Sequence, residues 1–464
     1  YRKCAIIKFY EIGDCMKQVL TEGNIGKGLI LFSLPMIAGN LLQQLYNVVD
    51  TLIVGQTIGA QALSAVGSSY ALMVLLTSVI LGLCMGSGVV FSQLYGANRE
   101  EEVKVSIVNA FVLIFLVSAV VMALSYLLLN SIVVWMQIPK EAIVYAKEYL
   151  TIIFSGILFV FLYNFFSAIL RSVGNTFIPL VFLGVSAFLN IVLDLVFILV
   201  FHMGVKGAAW ATVSAQVVSA VGVMVYFFLK GKELCPARKH LFYDQNLLHM
   251  VIVNSTLTAI QQSIMNFGIL MVQGLVNSFG FAVSAAFAVV VKIDAFAYMP
   301  AQDFGNAFST YAAQNYGAEK PERILKGIRI AFITSILFCC LASIVVCLFA
   351  KELMLLFVKP EEIEIISIGI TYLHIEGAFY AGIGILFLLY GLYRGLGRSM
   401  MSIVLTILSL GSRVVLAYTL SAFPMLGVNG IWVSVPIGWA LADVVGIWCF
   451  QKHRKRLLSS IAVL

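Results

Sequence analysis

The sequence is poor in charge: 11% of its 464 residues are Asp, Glu, Lys or Arg, whereas an ordinary soluble domain is about one quarter charged. Its five histidines form no HExxH or other zinc-binding pattern, and no GxSxG nucleophile elbow occurs. A Walker A phosphate-binding loop and a TVGYG filter are absent too. These absences argue against a soluble protein, a metal- or serine-dependent membrane enzyme, an ATP-driven pump and a potassium-type channel.

Long apolar runs are what the sequence has instead, since 61% of its residues are hydrophobic. Each run approaches the length of about 20 residues that a helix needs to cross a bilayer. We therefore predict an all-α polytopic membrane protein with twelve transmembrane helices. The predicted spans are 29–54, 63–93, 104–129, 143–170, 177–200, 206–229, 247–277, 282–313, 325–349, 363–393, 400–422 and 427–450.

Lys and Arg are distributed unevenly between the gaps that separate these spans. Twenty-two of the 29 lie in the termini and in the alternate gaps that share their side. Five lie in the opposite gaps, and Lys292 and Arg413 lie inside spans. Positive residues accumulate on the cytoplasmic side of membrane proteins. The pattern predicts that both termini are cytoplasmic.

The two halves of the sequence resemble each other, which indicates an internal duplication. The matched segments are SQLYGANREEEV (92–103) with AAQNYGAEKPERI (312–324), RSVGNTF (171–177) with RGLGRSM (394–400), and MGVKGAAW (203–210) with LGVNGIWV (426–433). Each half holds six spans, an even number, so the halves enter the membrane from the same side. Parallel repeats of this kind predict a secondary transporter with two pseudo-symmetric six-helix lobes and alternating access.

A charged segment that contains Pro236 separates the two halves and predicts the boundary between the lobes. The predicted organisation is a cytoplasmic N-terminal tail at 1–28, an N-lobe at 29–229, a cytoplasmic linker at 230–246, a C-lobe at 247–450 and a basic cytoplasmic C-terminal tail at 451–464.

Carboxylates inside the spans are the first candidates for function, because a charge at the bilayer centre costs several kcal/mol. Gln43, Asn47 and Asp50 share one helix face in the first span. Asn190 and Asp194 repeat the four-residue spacing in the fifth span. Both aspartates fall in the outer half of their helices, so we expect them to meet. Two carboxylates in a poorly solvated site hold either a proton or a cation, unless the cluster is only an architectural hydrogen-bonded network.

The sequence resembles the multidrug and toxic compound extrusion (MATE) family, and its details are most similar to the bacterial MepA-type branch. The resemblance covers essentially the whole chain. The motifs that carry it include VDTLIVG (49–55), SQLYGA (92–97), RSVGNT (171–176), NIVLDL (190–195) and GVKGAAWATVSAQ (204–216). It implies a multidrug exporter, not an enzyme, that exchanges hydrophobic cationic compounds for H⁺ or Na⁺.

The same resemblance assigns the ion-coupling cluster. By position, Asp50, Asn190, Asp194 and Thr212 match the acidic cluster of the family's N-lobe. The identity of the coupling ion remains open between H⁺ and a Na⁺ ion bound at Asp50 and Asp194. No other cofactor is expected. Pro35 removes a helix hydrogen bond, and the resemblance implies that the first helix bends there. In the C-lobe, Gly268 aligns with Asp50, and the family's acidic pair of the seventh and tenth spans is missing.

Substrate should bind to apolar residues that are interspersed with a few polar groups. The candidates are Gln43, Tyr46, Asn47, Tyr163, Asn164, Gln216, Gln261, Gln262, Met265, Asn266, Asp294 and Met299. For Asp294 and Glu376, two interpretations stay open: contact with a cationic substrate, or ion pairing within the lobe.

The expected partners are small hydrophobic cations and the lipid bilayer, with no nucleic acid. A duplicated lobe pair needs no second subunit, so a monomer in the bacterial cytoplasmic (inner) membrane is expected. A lipid-linked precursor flippase of the same broad superfamily is the alternative. It would need several cationic side chains in a large cavity, whereas only Lys292 and Arg413 lie inside the predicted spans.

Overall fold

The computed structural model describes residues 19–136, 142–241 and 244–459, and this part of the chain is helical, without strands. Within these ranges, ten helices are long and apolar enough to cross a membrane, and twelve spans result if each of two bent helix pairs counts as one. The all-α prediction with twelve spans is therefore confirmed.

The helices are numbered in chain order. They are α1 (Ile25–Thr57), α2 (Ala60–Gly96), α3 (Glu100–Leu127), α4 (Leu129–Trp135), α5 (Ile143–Ser155), α6 (Ile157–Ser172), α7 (Phe177–Leu195), α8 (Val205–Lys230), α9 (Gln245–Asn277), α10 (Phe281–Gly317), α11 (Pro321–Leu348), α12 (Ala350–Leu355), α13 (Ile363–Gly377), α14 (Tyr380–Gly395), α15 (Ser399–Ser421) and α16 (Val428–Ser459).

Two spans that we predict as continuous are broken. Helices α5 and α6 meet at an angle of 41°, and α13 and α14 meet at 52°. Gly156 lies at the first break, where an added Cβ would come within 2.4 Å of the Gln216 side-chain oxygen. The lack of a side chain at Gly156 therefore lets α8 bring a polar side chain against the backbone. Apolar periodicity does not reveal such a break, because both halves of each pair are equally hydrophobic.

The ends of the chain depart less from expectation. Pro35 lies inside α1, which continues through it to Thr57. Helix α16 runs on to Ser459, so the first part of the predicted C-terminal tail continues the last helix. Most of the predicted N-terminal tail, residues 1–18, lies outside the described part of the chain.

The chain forms two compact units. Among the described residues, unit 1 contains Leu34–Ala259, and unit 2 contains Leu20–Ser33 together with the chain from Ile260 onward. These divisions fall inside α1 and α9, whereas we predict a boundary in the linker. The beginning of α9 stays in unit 1 because it packs closely on α2. An added Cβ at Gly86 would lie 2.4 Å from the Asn254 carbonyl oxygen.

In unit 1, an ion cluster ties the linker to the start of α3. The Glu101 carboxylate accepts hydrogen bonds from Lys104 at 2.8 Å, from Lys239 and from His240 Nε2 at 2.9 Å. The Ala237 amide donates to His240 Nδ1, so that ring is neutral and donates through Nε2. Hydrogen bonds from Lys104, Lys239 and His240 lower the pKa of Glu101 well below its usual range. The carboxylate therefore stays ionised, and the cluster intact, until pH falls well below the usual glutamate pKa.

In unit 2, Arg323 on α11 fixes the segment that precedes α1. Its guanidinium donates to the carbonyl oxygens of Leu20, Glu22 and Gly23 at 2.9–3.2 Å. Asn315 adds a second hydrogen bond to the Leu20 carbonyl at 3.1 Å. Segment 20–23 is thereby bound through its backbone, and the Leu20 side chain is buried as well, at 2% exposure.

Helices α10 and α14 approach closely in unit 2. A Cβ at Gly391 would lie 2.2 Å from the Gly305 carbonyl oxygen, and one at Gly395 would lie 2.7 Å from the Ser309 carbonyl. Membrane helices gain their packing through small residues at such contacts. This contact aligns the last turn of α14, which carries Arg394, with the second half of α10.

Replacement of Glu101 with Gln should release the linker. The neutral amide does not hold the two lysines electrostatically, so we expect faster trypsin cleavage after Arg238 and Lys239 in the purified protein. The control is Glu100→Gln, which removes an exposed neighbouring carboxylate that lies outside the cluster. Equal cleavage rates in the two variants would show that the cluster does not restrain the linker.

Gly391→Ala should destabilise unit 2, because the new methyl group overlaps the α10 backbone. Overpacking of this kind costs about 1–3 kcal/mol and should lower the melting temperature in detergent. Gly411→Ala is the matched control, since nothing lies within 4 Å of its Cβ position. That variant should melt unchanged or slightly higher, because alanine is favoured over glycine in helices by about 1 kcal/mol. A Gly391→Ala protein as stable as wild type would contradict the close approach.

Candidate functional site

Unit 1 brings together the two aspartates that the sequence predicts to meet. Asp50 on α1 and Asp194 on α7 lie close enough for a hydrogen bond between their carboxyl groups. Asp194 is completely buried, and Asp50 is partly buried. Two ionised carboxylates are both acceptors, so a bond between them exists only while a proton lies between their oxygens.

Several oxygens around this pair are buried and have no hydrogen-bond donor among the described residues. They are Asp50 Oδ1, Asn190 Oδ1, both carboxylate oxygens of Asp194 and Gln216 Oε1. Buried polar atoms are normally satisfied, so a group of unsatisfied acceptors requires an explanation. A bound cation can be shared among several of these acceptors, whereas a proton between the two carboxyl groups satisfies one oxygen of each.

The amide and hydroxyl neighbours come from α7 and α8. The Asn190 amide donates weakly to the Thr212 hydroxyl, at 3.4 Å. All four residues predicted for ion coupling therefore lie in one unit, and these two share a hydrogen bond. Gln216 is one turn beyond Thr212, and the break at Gly156 leaves room for its side chain.

Tyr149 is a member of the site that sequence reasoning missed. It lies on α5, is 8% exposed, and interacts electrostatically with both Asp50 and Asp194. Its phenol can donate to a carboxylate or transfer a proton through a hydrogen bond. A tyrosine among many aromatic residues in an apolar span carries no signal of its own. Tyr149 is identified as part of the site only by its position beside Asp50 and Asp194.

The surroundings of the pair are apolar. Val54, Ile153, Ile198 and Val213 belong to one buried cluster with Tyr149. A π-helical turn at Val196–Val200 begins two residues after Asp194, and such turns often mark functional sites. An apolar wall makes a second negative charge costly, so the site favours an occupant that carries one positive charge.

The oxygen ligands of this site are compatible with either of two coupling ions, Na⁺ or H⁺. Carboxylate, amide and hydroxyl oxygens are hard ligands of the kind that Na⁺ accepts. A proton shared by Asp50 and Asp194 needs none of the other oxygens. No group of three or more His, Cys, Asp or Glu suited to a metal ion occurs among the described residues.

The remaining predicted residues of unit 1 lie along the same helices. The Tyr46 hydroxyl is hydrogen-bonded to the Gln43 side chain and lies within electrostatic reach of Asp50 and Tyr163. Asn47 is partly buried. Tyr163 donates to the Pro179 carbonyl at 3.0 Å, and Asn164 to the Val160 carbonyl at 2.8 Å. In this structure the last two side chains bind backbone.

In unit 2 the predicted residues fall into two places. Gln261, Gln262 and Met265 line a small cavity together with Arg394. Asn266 and Met299 are partly buried, and neither lines this cavity. Asp294 lies elsewhere, 2% exposed, where its two oxygens accept hydrogen bonds from Tyr372, at 2.7 Å, and from Tyr380.

The surroundings of Asp294 contain further charged groups. Glu376, 3% exposed, is hydrogen-bonded to Tyr372 and keeps one oxygen, Oε2, without a donor. Arg413 interacts electrostatically with both carboxyl groups, but no ion pair within 4 Å joins it to a described residue. Lys292, two residues from Asp294, is exposed. Both oxygens of Asp294 therefore already accept a hydrogen bond.

Comparison with known proteins identifies the family of this chain. The MatE family model matches the chain twice, over residues 35–196 and 258–419. The chain belongs to the MatE family. The two matches cover corresponding parts of the two halves, which confirms the duplication seen in the sequence. Members of this family are multidrug efflux transporters of the membrane, so the protein is a multi-pass transporter and not an enzyme.

Individual relatives agree with this assignment. The chain is 31% identical over 439 residues to "Probable multidrug resistance protein YpnP" of Bacillus subtilis, which covers 94% of this chain and 96% of the relative. It is 28% identical over 430 residues to "Probable multidrug resistance protein NorM" of Thermotoga maritima, with 91% and 90% covered. A solved MOP superfamily transporter from Pyrococcus furiosus shares the fold, with a TM-score of 0.88 at 23% identity over 96% and 98% of the two chains.

The tyrosine bonds to Asp294 should stabilise unit 2. Tyr372→Phe leaves one buried carboxylate oxygen without its donor, which costs about 1–3 kcal/mol and should lower the melting temperature in detergent. Tyr418→Phe is the control, because that side chain is 52% exposed. If Tyr372→Phe melts like the control, Asp294 does not depend on this hydrogen bond.

Proposed function

We propose that this MatE transporter exports small hydrophobic cations across the bacterial cytoplasmic (inner) membrane in exchange for H⁺ or Na⁺. We further propose that it acts as a monomer with both termini in the cytoplasm, and that it needs no cofactor besides the coupling ion. The observation that carries the exchange is the buried Asp50–Asp194 pair, whose unsatisfied oxygens call for one positive charge.

The exchange follows from the charge of the pair. When a coupling ion enters from outside, it neutralises negative charge between α1 and α7. Cationic substrate then loses part of its electrostatic attraction to the protein and leaves outward. When the ion departs to the cytoplasm, the negative charge returns and a new cation is bound. Each occupant thereby disfavours the other, as exchange requires.

We favour H⁺ as the coupling ion. A single proton between Asp50 and Asp194 satisfies one oxygen of each and removes the repulsion between them. A Na⁺ ion would need further ligands besides the two carboxylates, supplied by the side-chain oxygens of Asn190, Thr212 or Gln216.

Energetics limit the number of ions per cycle. Exchange of one H⁺ for one monovalent cation moves no net charge, so the membrane potential contributes nothing. The pH gradient then supplies about 1.4 kcal/mol per pH unit. A second H⁺ would add about 2.3 kcal/mol for each 100 mV of potential. Strong outward accumulation of a cation therefore requires a steep pH gradient or two protons per cycle.

Other predicted residues enter this proposal as the substrate surface. Gln43, Tyr46, Asn47, Tyr163, Asn164 and Gln216 would contribute from unit 1, and Gln261, Gln262, Met265, Asn266, Asp294 and Met299 from unit 2. Asp294 can serve only if a cation displaces a tyrosine hydroxyl, because Tyr372 and Tyr380 occupy both its oxygens. The flippase alternative is not favoured, since the family and the named relatives are multidrug transporters.

The test is uptake of a cationic dye into proteoliposomes with pH and Na⁺ gradients imposed separately. Wild type should respond to one of the two gradients, and Asp50→Asn should lose that response, because an amide neither carries the proton nor offers the charge. Glu361→Gln removes one exposed carboxylate and should transport like wild type.

Each gradient result has a distinct meaning. A response to pH alone identifies H⁺, and a response to Na⁺ alone identifies Na⁺ and rejects our preference. Full gradient-driven transport by Asp50→Asn would make the pair architectural and direct attention to Asp294 and Glu376. Absence of gradient-driven dye movement in wild type would reject the proposed exchange of cations.

A further inference from the structure

A row of exposed side chains runs along α16 and changes its chemistry from one end to the other. Its members follow each other at intervals of four, three, four, four and three residues, the spacing of one helix face. They are Ile437, Leu441, Val444, Trp448, Lys452 and Lys455. The first three are aliphatic, the fourth is an indole and the last two are cations. Aliphatic side chains that stay exposed on a membrane-spanning helix contact the acyl chains of the bilayer.

Trp448 marks the depth at which this face leaves the hydrocarbon. Its side chain is 55% exposed, and tryptophan is enriched at the boundary between acyl chains and headgroups. At a rise of about 1.5 Å per residue, Lys452 lies about 6 Å beyond Trp448 along the helix, and Lys455 about 10 Å. The two lysines therefore lie at the level of the lipid phosphates of the same leaflet.

The opposite face of α16 holds these turns against unit 2. Phe450 and Leu457 are partly buried and pack against the hydrophobic core of this unit, and the helix continues without a break to Ser459. The Lys452 ammonium lies 4.6 Å from the centre of the Trp448 ring, a cation–π contact that orients the lysine. An ordered helix face thus presents the two cations.

No acid balances the charge of this segment. The sequence contains no Asp or Glu after Asp443. No ion pair within 4 Å joins Lys452 or Lys455 to another residue that the structure describes. Arg454 adds a third exposed positive charge. Positive charge at headgroup level is complementary to anionic lipids.

We propose that the basic face of α16, formed by Trp448, Lys452 and Lys455, binds the headgroup of an anionic phospholipid from the surrounding leaflet. The two ammonium groups donate hydrogen bonds to the phosphate oxygens, and the indole packs against the glycerol and the upper acyl chain. Phosphatidylcholine carries a compensating positive choline, so the site prefers phosphatidylglycerol. This site is independent of the transported substrate and of the coupling ion.

Positive charge beside a span also directs membrane topology, but that role requires no particular helix face. Lys326 and Arg329 on α11 are the matched pair, because both are exposed and lie three residues apart, as Lys452 and Lys455 do. Glu322 lies one turn before Lys326, and α11 contains no tryptophan. If the lysines of α16 serve topology alone, the two pairs should behave alike towards lipid.

Trp448 itself can report the bound lipid, because brominated acyl chains quench tryptophan fluorescence on contact. The full-length protein is reconstituted in phosphatidylcholine with increasing fractions of brominated phosphatidylglycerol or, in parallel, brominated phosphatidylcholine. The contribution of Trp448 is the difference between each protein and its Trp448→Phe counterpart. In wild type, phosphatidylglycerol should be preferred at Trp448 about tenfold, and Lys452→Gln/Lys455→Gln should reduce this preference to less than about twofold.

The control is Lys326→Gln/Arg329→Gln, which removes the same charge and should keep the wild-type preference. Thermal unfolding in nanodiscs is a second readout. Phosphatidylglycerol should raise the melting temperature of wild type and of the control, but not that of Lys452→Gln/Lys455→Gln. In phosphatidylcholine alone all three proteins should melt alike, because the four replaced side chains are exposed.

Three results would overturn the lipid site. Equal quenching of Trp448 by the two brominated lipids in wild type would show that the face does not select anionic lipid. An equal loss of preference in both double variants would reduce the effect to the net charge of the protein. Recovery of Trp448 fluorescence when inorganic phosphate is added at constant ionic strength would assign the face to a soluble anion. Because each readout is lipid binding, none of these results bears on the proposed export function.

Discussion

A membrane interior supplies no water to buried polar groups, and the functional features of this protein depend on that constraint. Every carboxylate or guanidinium inside the helices must find its partner within the chain or bind one from outside. Asp294 is satisfied from within, by two tyrosine hydroxyls. The Asp50–Asp194 pair is not, because three of its carboxylate oxygens lack a donor among the described residues. The unsatisfied pair is therefore where exchange with the surroundings takes place in our proposal.

The two units carry different acidic residues although they are repeats of each other. Unit 1 holds the carboxyl pair, with Tyr149, Asn190 and Thr212 around it. Unit 2 has glycine at the position of Asp50 and holds its acids further along, where tyrosines saturate Asp294 and Glu376 keeps one unsatisfied oxygen. Both units retain an arginine at the equivalent repeat position: Arg171 in unit 1 is partly buried, and Arg394 in unit 2 is buried. Duplication has thus preserved one polar feature in each unit, while the acidic groups have diverged.

Much of the site could be predicted, because the spacing of residues along a helix determines which side chains share a face. Asp50 could be placed near Asp194 because both lie at similar depths in outward-running spans, and the structure brings their carboxyl groups together. Tyr149 could not be found in this way, since an aromatic residue in an apolar span has no distinguishing pattern. The sequence shows Arg394 only as part of a repeated segment. Its burial and its place in the wall of a cavity depend on the packing of other helices, which the sequence pattern does not show.

The helical fold, the number of spans, the duplication and the family could all be predicted from the amino-acid sequence, because hydrophobic length and local motifs are properties of contiguous residues. Tertiary structure alone decided where helices break, which acids are already satisfied and which oxygens lack a donor. At the break, Gly156 leaves room for the side chain of Gln216 from another helix, and Asp294 accepts hydrogen bonds from hydroxyl groups some 80 residues away in the chain. Such facts depend on contacts between distant residues, which a linear pattern does not encode.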